Sequence, residues 1–99
     1  MNEETAVVAL ESLGNATRLR IFRALVRAGP AGLPVGQLKE KLRIPGSTLS
    51  HHLSSLAAAG LMAQTREGRT LRCTANYDAM RGLVAYLVEE CCADDGGKC

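Results

Sequence analysis

Three of the four cysteines in this chain, Cys91, Cys92 and Cys99, fall within its last nine residues, beside the glycine pair Gly96-Gly97. The thiolate is a soft ligand, and thiols gathered where the chain can bend are equipped to trap a soft metal or metalloid. A second chemistry-bearing group lies in mid-chain. Ser47-Thr48-Leu49-Ser50-His51-His52-Leu53 opens a helical pattern in which Leu49, Leu53 and Leu56 form one apolar stripe. At about 100° per residue, Ser47, His51, Ser54, Ser55 and Ala58 fall on the opposite side. Small side chains let such a face approach a groove closely, and the hydroxyls of Ser47, Thr48 and Ser50 with the imidazole of His51 can bond phosphates or base edges. These four are the candidate DNA contacts of the helix.

The charge pattern points the same way. The net charge is only +2, but residues 18–81 carry eleven Arg or Lys against three acids (Glu40, Glu67, Asp78), a local balance of +8, while the two ends together hold one Lys and seven acids. A basic middle of this kind suits a phosphate-facing surface.

The elements needed to position these groups are mostly helices. The spacing predicts helices over residues 4–13 and 16–28, the second with Leu19, Phe22, Leu25 and Val26 at helical intervals. A third carries Val35, Leu38 and Leu42, and Arg43-Ile44-Pro45-Gly46 is a tight connection to the fourth, which Gly60 closes. Residues 61–65 and 70–74 then alternate with period two around Arg66-Glu67-Gly68-Arg69, a β-hairpin with a basic tip. A last helix over residues 77–92 places Met80, Leu83, Val84, Leu87, Val88 and Cys91 on one broad apolar stripe. The fold class expected is mainly α with a small β-hairpin, a winged helix-turn-helix. The fourth helix would enter the major groove of double-stranded DNA, and the hairpin would bring Arg66 and Arg69 to its flank. Terminal helices this apolar are expected to pair two subunits. Residues 1–92 form the DNA-binding and dimerisation domain in this reading, and residues 93–99 a flexible cysteine-containing tail.

Ninety-nine residues make one domain. Met1-Asn2-Glu3-Glu4 lacks the positive flank and apolar run of a signal peptide, and no segment is long enough to cross a bilayer, so a cytoplasmic protein with reduced thiols is expected. A small metallochaperone or detoxifying thiol enzyme is the rival from another class, but no general base is paired with a thiol and the helix-turn-helix would be left unexplained, so no enzyme is expected.

Several blocks in the right order carry a family resemblance. Leu13-Gly14-Asn15-Ala16-Thr17-Arg18-Leu19-Arg20-Ile21-Phe22, then residues 47–53, then Leu56-Ala57-Ala58-Ala59-Gly60-Leu61 and Arg66-Glu67-Gly68-Arg69, resemble the motifs of the ArsR/SmtB family of metal-responsive repressors. The resemblance covers roughly residues 5–90 and implies a homodimer that sits on operator DNA and leaves when its inducer binds. Two of the family's usual ligand positions are empty. The thiol pair of the third helix is replaced by Pro34-Val35-Gly36, and the interfacial zinc site would need a His where Asp78 is followed by Met80.

That leaves Cys91, Cys92 and Cys99, an arrangement that resembles the terminal vicinal pair plus one of some arsenic-responsive members. Trivalent arsenic, with its lone pair, is satisfied by three thiolates in a pyramid, whereas structural zinc takes four ligands. Arsenite is therefore the expected inducer, with antimonite or methylarsenite as variants. On an intact helix Cys91 and Cys92 would point apart, so a shared ligand requires the helix end to unwind. Cys73 falls on an apolar strand face and reads as core, and adjacent His51 and His52 cannot easily share one ion. A thiol redox or persulfide sensor built on the same winged helix is the alternative.

Overall fold

Asparagine starts three of the helices. The side chains of Asn2, Asn15 and Asn76 accept hydrogen bonds from the backbone N–H groups of Thr5 (2.8 Å), Arg18 (3.0 Å) and Ala79 (3.0 Å). Each thereby satisfies a donor that the first helical turn leaves unpaired, a contact worth about 1 kcal/mol. The structure, a computed structural model, describes residues 1–97. In chain order it consists of α1 (Glu3–Leu13), α2 (Ala16–Ala28), β1 (Leu33–Pro34), α3 (Val35–Leu42), α4 (Gly46–Ala58), β2 (Met62–Glu67), β3 (Thr70–Ala75), α5 (Tyr77–Val88) and a short 3-10 turn at Ala93–Asp95. The fold is the winged helix-turn-helix that the sequence predicts.

Its core joins the inner faces of α2, α3 and α4 to the base of the sheet. Ile21, Leu25, Leu38, Leu49, Leu53, Leu56 and Leu61 are fully buried, with Phe22 beside them. The leucine stripe of α4 is thus the inward one, as its spacing requires.

The sheet has three strands rather than the two of the expected hairpin. Its order is β1-β3-β2, all antiparallel, with Leu33 opposite Cys73 and Pro34 opposite Arg72. Proline has no N–H to donate and is tolerated here because β1 is an edge. Gly32 leads into it with φ +68°, and a Cβ at that position would lie 2.1 Å from the Cys73 carbonyl oxygen and 2.6 Å from Cγ2 of Thr74. The close approach of this loop to β3 therefore needs a residue without a side chain.

The second departure is at the C-terminal end. The helix expected through Cys92 stops at Val88, where Glu89 turns to φ −57°, ψ 133°, and both Glu90 and Cys92 adopt left-handed conformations. Two consecutive glutamates at a helix C-terminus face the negative end of its dipole, and the last turn has no basic residue to offset them. Cys91 therefore lies beyond the apolar stripe of α5. The chain is also more extended than one self-sufficient core would make it: its radius of gyration is 15.4 Å, against about 13 Å for a compact domain of this length.

Two glycine replacements test this packing. Gly32→Ala should lower unfolding free energy by about 2–4 kcal/mol, the sum of left-handed strain and overpacking. Gly36→Ala, inside α3 with open space around it, should raise it by about 0.5–1 kcal/mol. Urea unfolding of the two variants beside the parent checks both signs.

Candidate nucleic-acid interface and thiol cluster

Burial of Leu49, Leu53 and Leu56 fixes the rotation of α4 and turns Ser47, Thr48, Ser50, His51 and Ser54 to the surface. The helix begins after Pro45 with no side-chain cap and no acid in its first turn. Its first N–H groups and the positive end of its dipole are left open to an anion. Lys39 adds a charge that the sequence reading did not single out: its Nζ lies 3.8 Å from the point where a Cβ on Gly46 would sit, placing an ammonium group over the start of α4. The only sequence signal for it was its place in the basic middle.

His51 and His52 meet edge to face, ring centroids 5.8 Å apart. His51 is exposed. His52 is half-buried, and its Nδ1 is enclosed without a hydrogen-bond partner among the described residues. Burial, then the neighbouring Arg18 guanidinium and His51, push its pKa below the ordinary histidine value, so it packs as a neutral ring. The two histidines thus lie on different faces, His51 towards solvent and His52 packed inward.

The hairpin pairs six residues on each side, from Met62 opposite Ala75 to Glu67 opposite Thr70, and turns through Gly68 at φ +63°. Arg66 and Arg69 are exposed near its tip. Arg72 is differently placed: it pairs with Glu67 at 2.8 Å and donates to the Ala31 carbonyl at 3.0 Å. Arg20, Arg23 and Arg27 line a cleft with Lys41, between α2 and α3.

Beyond Val88 the chain folds into successive turns, with Cys91 N–H donating to the Val88 carbonyl and Gly97 N–H to that of Cys92. These turns bring Sγ of Cys91 to 3.8 Å from Sγ of Cys92. Two bonds of about 2.3 Å meeting at a tetrahedral angle span about that distance, so one thiophilic atom would bridge the two sulfurs once both are thiolates. No unwinding is needed, because the helix has already ended. Cys92 is disulfide-bonded, contrary to the expectation of reduced thiols. Cys99 lies outside the described residues, and among those described no three His, Cys, Asp or Glu side chains converge on a metal position. Cys73 is fully buried on the central strand, as expected, with Gln64 donating to its sulfur at 3.7 Å. Burial pushes this thiol up, partly offset by the Gln64 contact.

Known proteins resemble this chain in sequence and fold. Residues 13–65 match the family described as "Helix-turn-helix domain". The transcriptional activator HlyU of Vibrio cholerae is 31% identical over 86 residues, which cover 87% of this chain and 77% of that protein. The putative arsenical resistance operon repressor ArsR of Halobacterium salinarum is 38% identical over 66 residues, 67% of this chain and 50% of that protein. In fold, the chain superposes on an ArsR-like transcriptional regulator from Rhodococcus sp. RHA1 with a TM-score of 0.76, covering 92% of this chain and 82% of that one at 24% identity.

Two outcomes follow from α4. His51→Ala should weaken binding to operator duplex by about 1–3 kcal/mol while leaving the thermal midpoint in place, measured by fluorescence anisotropy and calorimetry. The second concerns pH. The folded state disfavours the His52 cation, so between the lowered folded pKa and the ordinary value of about 6.5 the unfolded chain binds more protons, and stability falls as the solution is acidified through that window. His52→Gln should flatten this part of the stability-against-pH curve.

Proposed function

Since the chain belongs to the ArsR/SmtB family of winged helix-turn-helix transcriptional regulators, and is a DNA-binding regulator rather than an enzyme, we propose that it is a repressor that binds operator DNA as a homodimer and is released by trivalent arsenic held by Cys91, Cys92 and Cys99. The observation that carries the inducer assignment is the approach of the Cys91 and Cys92 sulfurs to 3.8 Å on a turn outside the helix. The likeness to a protein named as an arsenical resistance operon repressor supports the same reading.

In this reading Ser47, Thr48, Ser50 and His51 contact the major groove, and Arg66 and Arg69 the flanking backbone. Dimerisation uses α1 and α5, whose Val7, Val8, Leu10, Val84, Leu87 and Val88 remain 43–60% exposed in the single chain. Completing their burial in both subunits gives on the order of 10 kcal/mol. That matches the roughly 4–15 kcal/mol that association costs in lost freedom. The thiols follow directly on α5, so a ligand that draws them together acts on the end of the dimerisation helix. A shift there alters the spacing of the two recognition helices. A coupling of about 1–3 kcal/mol, ordinary for such regulators, is enough to lower operator occupancy. Operator DNA being the target, the protein works in the cytoplasm.

A redox regulator is the second reading, favoured by the disulfide at Cys92. Reduction of that bond is a condition for a three-thiolate site. The two inducers leave opposite marks on an intact mass spectrum, since an arsenic adduct adds mass and a disulfide removes hydrogen.

Single Ser replacements of Cys91, Cys92 and Cys99 in reduced protein should leave operator binding intact and blunt release by arsenite, because a hydroxyl is a hard, weak ligand for a soft centre. Cys73→Ser should release normally. X-ray absorption on the arsenite complex should count three sulfur neighbours. Normal release from a chain truncated after Glu90 would remove the tail from the mechanism.

A further inference from the structure

Arg72 lies among the hairpin's arginines in sequence but is engaged within the protein. Its Nε donates to Oε1 of Glu67 at 2.8 Å, and its Nη1 to the carbonyl of Ala31 at 3.0 Å. Across the ladder Arg72 faces Thr65, and Glu67 lies two residues further along β2. The pair therefore shares one face of the ribbon as diagonal neighbours. Arg66 faces Leu71 and projects from the other side.

The base of the hairpin is anchored in the core by Met62, Cys73 and Ala75, whereas its outer residues 63–70 are exposed. On its β1 side β3 is paired through two residues only, one of them Pro34, which has no N–H. A two-stranded ribbon is pliable by itself. The Arg72 side chain connects the far end of β2, the middle of β3 and the loop between α2 and β1. Glu67 is the only acid in the hairpin and follows Arg66 in sequence, and its carboxylate is paired with Arg72.

We propose that Arg72 is a positioning residue for DNA binding: it makes no phosphate contact itself, but fixes the angle at which the hairpin presents Arg66 and Arg69 and neutralises Glu67 beside them. This rests on the assignment of Arg66 and Arg69 as DNA contacts. Lysine cannot reproduce the function, since a single ammonium lacks the planar fork that reaches the carboxylate and the carbonyl together.

The test uses the full chain and a duplex carrying the operator mapped by footprinting of the parent protein. R72A and R72K should each lower operator affinity about tenfold and flatten its salt dependence, as loss of one or two phosphate contacts does. The thermal midpoint should hardly move, because exposed ion pairs contribute little to stability. In an R66A/R69A background, R72A should add less than a twofold loss, since the groups it positions are gone. Parent affinity for R72K would mean that Arg72 acts as a charge on DNA and overturn the proposal, as would an undiminished tenfold loss in the R66A/R69A background. Failure of the underlying assignment looks different: R66A/R69A itself would then bind like the parent.

Discussion

Leu49, Leu53 and Leu56 recur at the four- and three-residue steps that bring side chains onto one helical face, and all three are buried. That burial is the constraint on which the rest of the molecule depends. It sets the rotation of α4 about its axis, and so decides that hydroxyls and one imidazole meet solvent while the other imidazole packs inward. It also seats the helix on α2, whose Ile21, Phe22 and Leu25 complete the same core. A helix so anchored can carry an outer surface with almost no stabilising content of its own. The surface is then free to be chosen for what it touches.

Much of this was legible in the sequence because it is local. The bounds of α2, the leucine stripe, the tight connection at residues 43–46 and the period-two hairpin each depend on intervals of a few residues, and each appears where the intervals place it. What was not legible depended on distance or on electrostatic balance. Two residues, Leu33 and Pro34, cannot express a strand period, and their pairing with β3 is decided by a loop whose glycine fits against a carbonyl some forty residues later. The apolar rhythm runs on through Cys91, but α5 ends at Val88. The dipole and two glutamates, not the rhythm, end the helix.

The same distinction applies to the site. The exposed face of α4 followed from counting residues, and the pairing of Arg72 did not, because a charge in a sequence carries no record of its partner. Charge totals over residues 18–81 therefore overstate the surface available to one duplex. Arg20, Arg23, Arg27 and Lys41 surround a cleft between α2 and α3, and Arg72 is engaged within the protein by Glu67 and the Ala31 carbonyl. The tail shows the converse case. Vicinal cysteines on a helix diverge, but beyond the helix end, with left-handed residues at Glu90 and Cys92, their sulfurs lie 3.8 Å apart, and the disulfide at Cys92 rather than the helix stands between the pair and a shared ligand.

The buried sulfur of Cys73 gives the molecule an internal clock. The residue sits on the middle strand with Leu33 on one side and Gln64 on the other, and burial keeps its thiol protonated, so an alkylating reagent reaches it only when the strands part. The rate of its modification then measures how often the sheet opens, in the manner of a protected amide proton in exchange. Because the hairpin shares that sheet, the same rate reports how firmly its base is held in a single chain, in a pair of chains and on DNA.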